Sequence, residues 1–418
     1  MSSLNDIVIN KTTGGLGRRQ PNEDNISGLI TTGIAVSGGV QLDTVYNLKS
    51  VADAEALKID TAYDATSGNK MLLYHHITEF FRMNPNGELY LLVVAQEVTA
   101  TDVLLSDLVD KTNANYAKKL LVEANGKIRQ LGVCLNPDTG YTPTITTGLD
   151  ADVLLAATNA EALYLEEAAL HRPVHIILEG RSIDSTTIGT SLKDLREEAL
   201  PHVSVVAGAD KAISNADAQY NGYAAVGTVL GAVSKAKVNE SIAWVEKFNL
   251  QSEGKLTAVG LSGNTALTSI TDGSQDTLNT KGYIFFRTHT GIPGVYANDS
   301  HTYTATTDDF AYIENNRTID KAIRLIRAKL LPKLGSPLKV DADTGQLEAQ
   351  VVKNFEALGK AAIEVMVQNE EASEIDVYVN PEQNILATGN LEVKFDIVPT
   401  GTARKITVTI GFKNPFNA

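Results

Sequence analysis

An apolar, helix-like run at residues 71–81 passes through Asn84-Pro85-Asn86-Gly87 into an unbroken apolar stretch, Leu89-Tyr90-Leu91-Leu92-Val93-Val94. No other feature constrains the fold as strongly. A strand with one face in water alternates polar and apolar residues. One that is apolar at every position needs cover on both faces, which helices flanking a parallel sheet supply. The pattern recurs: an Ala- and Leu-rich helix over 151–170 precedes Pro173-Val174-His175-Ile176-Ile177-Leu178-Glu179-Gly180, and a helix over 192–200 precedes Val203-Ser204-Val205-Val206-Ala207-Gly208. Repeated helix and strand alternation predicts an α/β chain with helix-covered sheets. Between the first two units, Asn136-Pro137-Asp138-Thr139-Gly140-Tyr141-Thr142-Pro143 reads as a turn-rich link and a candidate subdomain boundary.

The two ends read differently. Residues 390–412 alternate through Leu391-Glu392-Val393-Lys394-Phe395-Asp396-Ile397 and Ile406-Thr407-Val408-Thr409-Ile410-Gly411-Phe412, separated by Pro399-Thr400-Gly401-Thr402. Period two over six to eight residues predicts two half-buried antiparallel strands joined as a hairpin. Near the start, Asp6-Ile7-Val8-Ile9-Asn10 is a strand-like run followed by the glycine-rich Thr12-Thr13-Gly14-Gly15-Leu16-Gly17. Both ends therefore offer edge strands. An unpaired edge invites another chain, so each must be covered by its own domain or donated to a neighbour.

Composition narrows the function classes. A formal net charge of −14 over 418 residues argues against a general nucleic-acid binder, which needs a basic surface to displace counterions. The chain has no run of eighteen apolar residues, and its first residues lack a basic start and apolar core, so stable membrane insertion and a signal peptide are not expected. Synthesis in a cytoplasm, where the chain stays until it is assembled or released, is the expectation. Cys134 is the single cysteine and sits in the apolar run 131–135, which reads as a buried structural thiol.

No catalytic, cofactor or metal site emerges from the motifs. The glycines at 14, 15 and 17 precede no helix, and no Gly-x-x-x-x-Gly-Lys-Ser/Thr or Gly-x-Ser-x-Gly occurs. His75 and His76 are neighbours on a helix and point about 100° apart, so they cannot share a metal, and one of them is expected at the surface. Asp341-Ala342-Asp343-Thr344-Gly345 lacks the third acidic ligand of a calcium loop and reads as a turn before a helix. Gly227 and Gly231 fall on one helix face with alanines around them. Such spacing lets another backbone approach closely.

One charged element stands out. Arg317, Lys321, Arg324, Arg327, Lys329 and Lys333 face the single acid Asp320 within 317–333, net +5 in an acidic chain. On a helical wheel Arg317, Lys321 and Arg324 form one stripe, while Ile319, Ile323, Ile326 and Leu330 fill the opposite face. The stripe reads either as a solvated helix face or as a contact for an acidic partner. A second helix over 347–367 would complete a small C-terminal α/β unit with the closing strands.

From Tyr283 onward the order of features resembles the contractile tail sheath proteins of phage tails and related injection systems. The resemblance is carried by Gly291-Ile292-Pro293-Gly294-Val295-Tyr296, Thr307-Asp308-Asp309-Phe310, Asn315-Asn316-Arg317-Thr318-Ile319-Asp320-Lys321-Ala322, Gly389-Asn390-Leu391-Glu392-Val393, and Ile397-Val398-Pro399 followed by Ile406-Thr407-Val408. The segment 225–231 adds to it, so about half of the chain is covered. The resemblance implies a homo-oligomeric subunit in a helical stack of hexameric rings around an inner tube protein, with baseplate and tail terminator partners. It implies no cofactor, metal or catalytic residue. Residues 1–20 would be an N-terminal arm, 21–300 a central α/β region divided near 136–150, and 301–418 a C-terminal sheath domain. Ile7, Val8 and Ile9, with Leu391, Val393, Phe395, Ile406, Val408 and Ile410, would exchange strands between subunits. Arg317, Lys321 and Arg324 would touch the inner tube. Another shell-forming protein, such as a surface-layer protein, and a doubly wound α/β enzyme are the alternatives.

Overall fold

The computed structural model describes residues 23–66, 70–96 and 103–412. Its centre is a six-stranded sheet built from β1 (Ile26–Gly33), β2 (Val45–Leu48), β3 (Glu88–Ala95), β4 (Gln130–Val133), β5 (His175–Glu179) and β6 (Val203–Val206), in the order β2-β3-β1-β4-β5-β6. Every pairing is parallel except that of the edge strand β2, which runs antiparallel to β3. The apolar run at 89–94 takes the doubly covered position its composition demands. Tyr90, Leu92 and Val94 enter one core with Ile26 and Ile30, and Leu89, Leu91 and Val93 enter the opposite core with Leu29. The first core is capped by α2 (Ala117–Glu123) and α3 (Ala151–Ala169), the second by α1 (Leu73–Met83) and α4 (Val226–Lys235).

α1 and α4 touch backbone to backbone. A Cβ added at Gly227 would lie 2.4 Å from the His76 carbonyl oxygen, and one at Gly231 would lie 2.7 Å from that of Phe80. Only glycine permits this approach, as the spacing of the two residues indicates. Polar groups fill the same seam. His75 Nε2 lies 2.8 Å from the Tyr223 hydroxyl, the Gly227 amide donates to His76 Nδ1 at 3.1 Å, and Thr228 donates to Glu79 at 2.9 Å.

Both histidines are buried, which corrects the expectation that one faces solvent. The helix packs on two sides, with the Tyr223 hydroxyl and the Gly227 amide satisfying one imidazole each. Burial pushes both down to about 4, so they are neutral near pH 7. Cys134 is buried as expected, and burial pushes its thiol far above the ordinary range.

Two other expectations are corrected. The segment 192–200 forms no α-helix. Asp194 caps a single 3-10 turn, Leu195–Glu197, by accepting from the Arg196 amide, and Leu192 and Leu195 anchor it in the core. Residues 136–150 do not separate subdomains, because β4 and β5 on either side are neighbours in one sheet. Asn136 is instead a buried plug at the carboxyl end of β1. Its amide donates to Thr31 Oγ1 and the Thr32 carbonyl, its Oδ1 accepts from the Leu72 amide, and its carbonyl accepts from Thr32 and Gln96. Doubly wound enzymes bind ligands where the strand order reverses, beside the first strand. Here that position is closed by side chains of the chain itself.

Residues 313–399 form a second, smaller unit. Helices α5 (Ile313–Leu330) and α6 (Ala349–Gln368) pack with an antiparallel pair, β7 (Ala372–Tyr378) and β8 (Lys394–Pro399). Its core is small: Ala322, Ala362, Ile363, Met366, Ala372 and Ile375, with Phe395 and Ile397 against them.

Candidate functional site

The C-terminal pair β7–β8 departs from the hairpin expected there. β8 begins three residues later than Leu391 and pairs with β7, Ile397 opposite Ile375 and Phe395 opposite Val377. Leu391 and Val393 pack against the buried Leu347, Phe355 and Val379. β8 prefers β7 because α6 already presents an apolar floor under that register. The second run, 406–412, forms no strand and has no ladder partner among the described residues. Ile406, Val408, Ile410 and Phe412 are 79, 78, 93 and 110% exposed. Among the described residues the sheet has two strands, and each keeps an open edge. The other sequence candidates for strand exchange, Ile7, Val8 and Ile9, and the glycine-rich 14–17, lie outside the described residues.

The basic stripe of α5 also sits differently from its reading as a presented face. Arg317 is buried, and its guanidinium donates to the carbonyls of Ala236, Lys237 and Asp24 at 3.1, 3.2 and 3.0 Å. Lys321 bridges Asp24 and Glu371 at 2.6 and 2.7 Å, and Arg324 reaches the other Asp24 oxygen at 2.9 Å. Helical spacing does align the three cations, but the aligned stripe faces inward and clamps α5 to the root of β1 and the end of α4. Ile323, placed on the apolar face by the wheel, is 42% exposed.

Burial pushes the Asp24 carboxyl up, yet its bond to Lys321 and the charges of Lys321, Arg324 and Arg317 outweigh this and hold it below the ordinary value. At Asp320 burial outweighs the charges of Arg324 and Arg129 and the bond to Tyr164, and lifts the carboxyl to about 6. A cavity of about 10 Å³ lies among Asp24, Arg129, Val238, Arg317, Asp320 and Arg324, room for a single water.

A second ionic contact had no sequence signal. Arg404 lies five residues beyond β8. Its Nε donates to both Asp299 oxygens at 3.2 and 3.1 Å, its Nη2 binds Glu314, and its guanidinium carbon sits 3.3 Å from the centre of the Tyr312 ring. Asp24 was equally invisible, being almost 300 positions from its α5 partners. Among the described residues no group of three or more His, Cys, Asp or Glu side chains is arranged to hold a metal, and no helix is long and apolar enough to cross a membrane.

What this geometry offers is a two-stranded sheet, an exposed alternating segment and two ionic clamps: features suited to assembly. Solved structures share the fold along the whole chain. A chain of the anti-feeding prophage (AFP) baseplate, 6-fold symmetrised, matches with a TM-score of 0.61 at 13% identity, covering 99% of this chain and 100% of that one. The AFP helical sheath in its contracted state matches with a TM-score of 0.60 at 15% identity and the same coverage. The PVC sheath complex of an extracellular contractile injection system, also contracted, matches with a TM-score of 0.58 at 13% identity, covering 100% of this chain and 99% of that one. The α/β architecture is therefore one found in contractile sheath assemblies, as the sequence resemblance implied. No curated protein matches the chain. Two family descriptions match in succession, DUF2586, N-terminal domain, over residues 4–301 and DUF2586, C-terminal domain, over 309–417, and the chain belongs to the DUF2586 family.

Proposed function

We propose that this chain is a structural, non-enzymatic subunit of a contractile sheath. Subunits stack as hexameric rings around an inner tube, and each donates terminal strands to neighbours, so that main-chain ladders keep the lattice joined while rigid bodies rotate from an extended to a contracted packing. The observation that carries the reading is the exposed row Ile406, Val408, Ile410 and Phe412 beside a two-stranded sheet with open edges, in a chain with this fold. Burying such side chains in a neighbour is worth roughly 1.5–3 kcal/mol each, and the ladder adds main-chain hydrogen bonds.

The inner tube, baseplate and tail terminator are the partners in this reading, and the particle is a phage tail or a contractile injection system assembled in a bacterial cytoplasm. The tube-facing role passes from Arg317, Lys321 and Arg324, which are engaged within the chain, to the exposed Arg327, Lys329 and Lys333 at the far end of the same basic run.

Negative-stain electron microscopy of the concentrated protein, alone and with a co-expressed tube protein, tests the proposal. Hollow tubes with a regular ring repeat are expected. A chain ending at Arg404 should stay folded by far-UV circular dichroism and form none. Closed oligomers that no tube protein converts, or tubes unaffected by the truncation, would overturn it.

A further inference from the structure

We infer that Arg404 is the pin of the C-terminal arm: it stays seated in its own subunit, and the residues after it, 405–412, are free to leave. This rests on the assembly reading above and adds where the arm starts. From Pro399 the chain is held at two points. Thr400 accepts from Asn239 at 3.0 Å, and Arg404 enters the socket formed by Asp299, Glu314 and Tyr312. Residues 405–412 make no hydrogen bond or ion pair among the described residues and are exposed throughout.

The socket suits a guanidinium better than an ammonium. Two carboxylates approach in different directions around one planar fork, and an aromatic face lies against its plane. Asp299 and Glu314 are themselves buried, and Ser300 donates to Glu314, so the socket is preformed by the central unit and the start of α5. The Arg404 side chain is 28% exposed. It closes the socket from the solvent side and fixes the direction in which the chain departs. Eight residues in extended form reach about 26 Å at ~3.3 Å each, so an edge on a neighbour that takes residues 405–412 must lie within that radius of the socket.

The test uses the unassembled full chain, so that it does not depend on tube formation. A spin label is placed at Thr402→Cys or, separately, at Thr409→Cys; the buried Cys134 stays unlabelled in the native protein. In the parent the label at 402 should be restricted and that at 409 mobile. Arg404→Ala should raise the mobile fraction at 402 by at least about twofold without changing 409, and Arg404→Lys should restore part of the restriction. Because Arg404→Ala strands two acids, Asp299→Asn/Glu314→Gln/Arg404→Met provides a socket with no unpaired charge, and it too should free position 402. An unchanged spectrum at 402 in the folded triple variant would overturn the pin. A parent that never forms tubes would instead count against the sheath reading and leave the pin to be decided by these spectra.

Discussion

Gly227→Ala should destabilise the protein by about 1–3 kcal/mol, opposite in sign to what the same change does on an exposed helix. The new methyl would sit 2.4 Å from the His76 carbonyl oxygen and 2.7 Å from its Cα, both backbone atoms that no rotamer change can remove. Ordinary contact begins near 3.4 Å, so α1 and α4 must part by about 1 Å. Overpacking of this kind costs about 1–3 kcal/mol. The displacement also stretches the 3.1 Å bond from the Gly227 amide to His76, a buried pair worth about 1 kcal/mol. Against this stands a gain in helix propensity of at most about 1 kcal/mol. Gly231→Ala, with its nearest backbone atom at 2.7 Å, needs a smaller separation and should cost somewhat less. The double variant should cost little more than Gly227→Ala alone, since one parting of the helices relieves both contacts. Urea unfolding followed by far-UV circular dichroism measures each value, with Gly273→Ala as the control. A methyl there would meet only Thr271 Oγ1, at 3.8 Å, so that variant should be neutral or stabilised. If Gly227→Ala matches Gly273→Ala, the close helix contact is not what holds this seam together.

Acid should weaken the fold well above the carboxylate range. His75, His76, His175 and His301 are buried and pushed down to about 4, 4, 3 and 4. Their contribution is complete above pH 6.5 and is lost as the pH falls towards those values, because the unfolded chain takes up the protons first. Asp64 and Asp320, lifted by burial to about 7 and 6, act the other way, stabilising as pH falls from those values to about 3.8. Four groups against two give a net loss, so the melting temperature should drop between pH 7 and pH 4.5; a rise would contradict the burial of the imidazoles. Asp24→Asn leaves Lys321 and Arg324 without their shared carboxylate. It should cost about 3 kcal/mol and speed amide exchange in α5, and unchanged exchange there would show that the clamp does not hold the two units together.

Much of the architecture can be read from local pattern. A strand apolar at every position, as at 89–94, has one stable environment, so the doubly covered sheet follows from the residues. The spacing of Gly227 and Gly231 likewise announces a close helix contact before the partner is known. The same local logic fails at 192–200, where one capped turn takes the place of a helix, and at 136–150, where a turn-rich segment closes the end of a sheet that continues on both sides of it. It fails again in the C-terminal region, where alternation predicts two strands but only the first forms, and with a partner that alternation cannot name. β8 pairs with β7 because α6 supports that register, and 406–412 is left without a partner among the described residues.

The sequence by itself determined the doubly covered strands of the central sheet, where two backbones touch, and that residues 406–412 alternate with apolar side chains still to bury. Only the tertiary structure decided where charge goes. A helical wheel aligns Arg317, Lys321 and Arg324, but whether that stripe meets water, a partner or Asp24 depends on a residue almost 300 positions away. Arg404 meets Asp299 and Glu314 across separations of 105 and 90 residues. Period and propensity act over a few residues and leave a pattern in the sequence. Ion pairing acts through space, so its partners are known only once the chain has closed on itself.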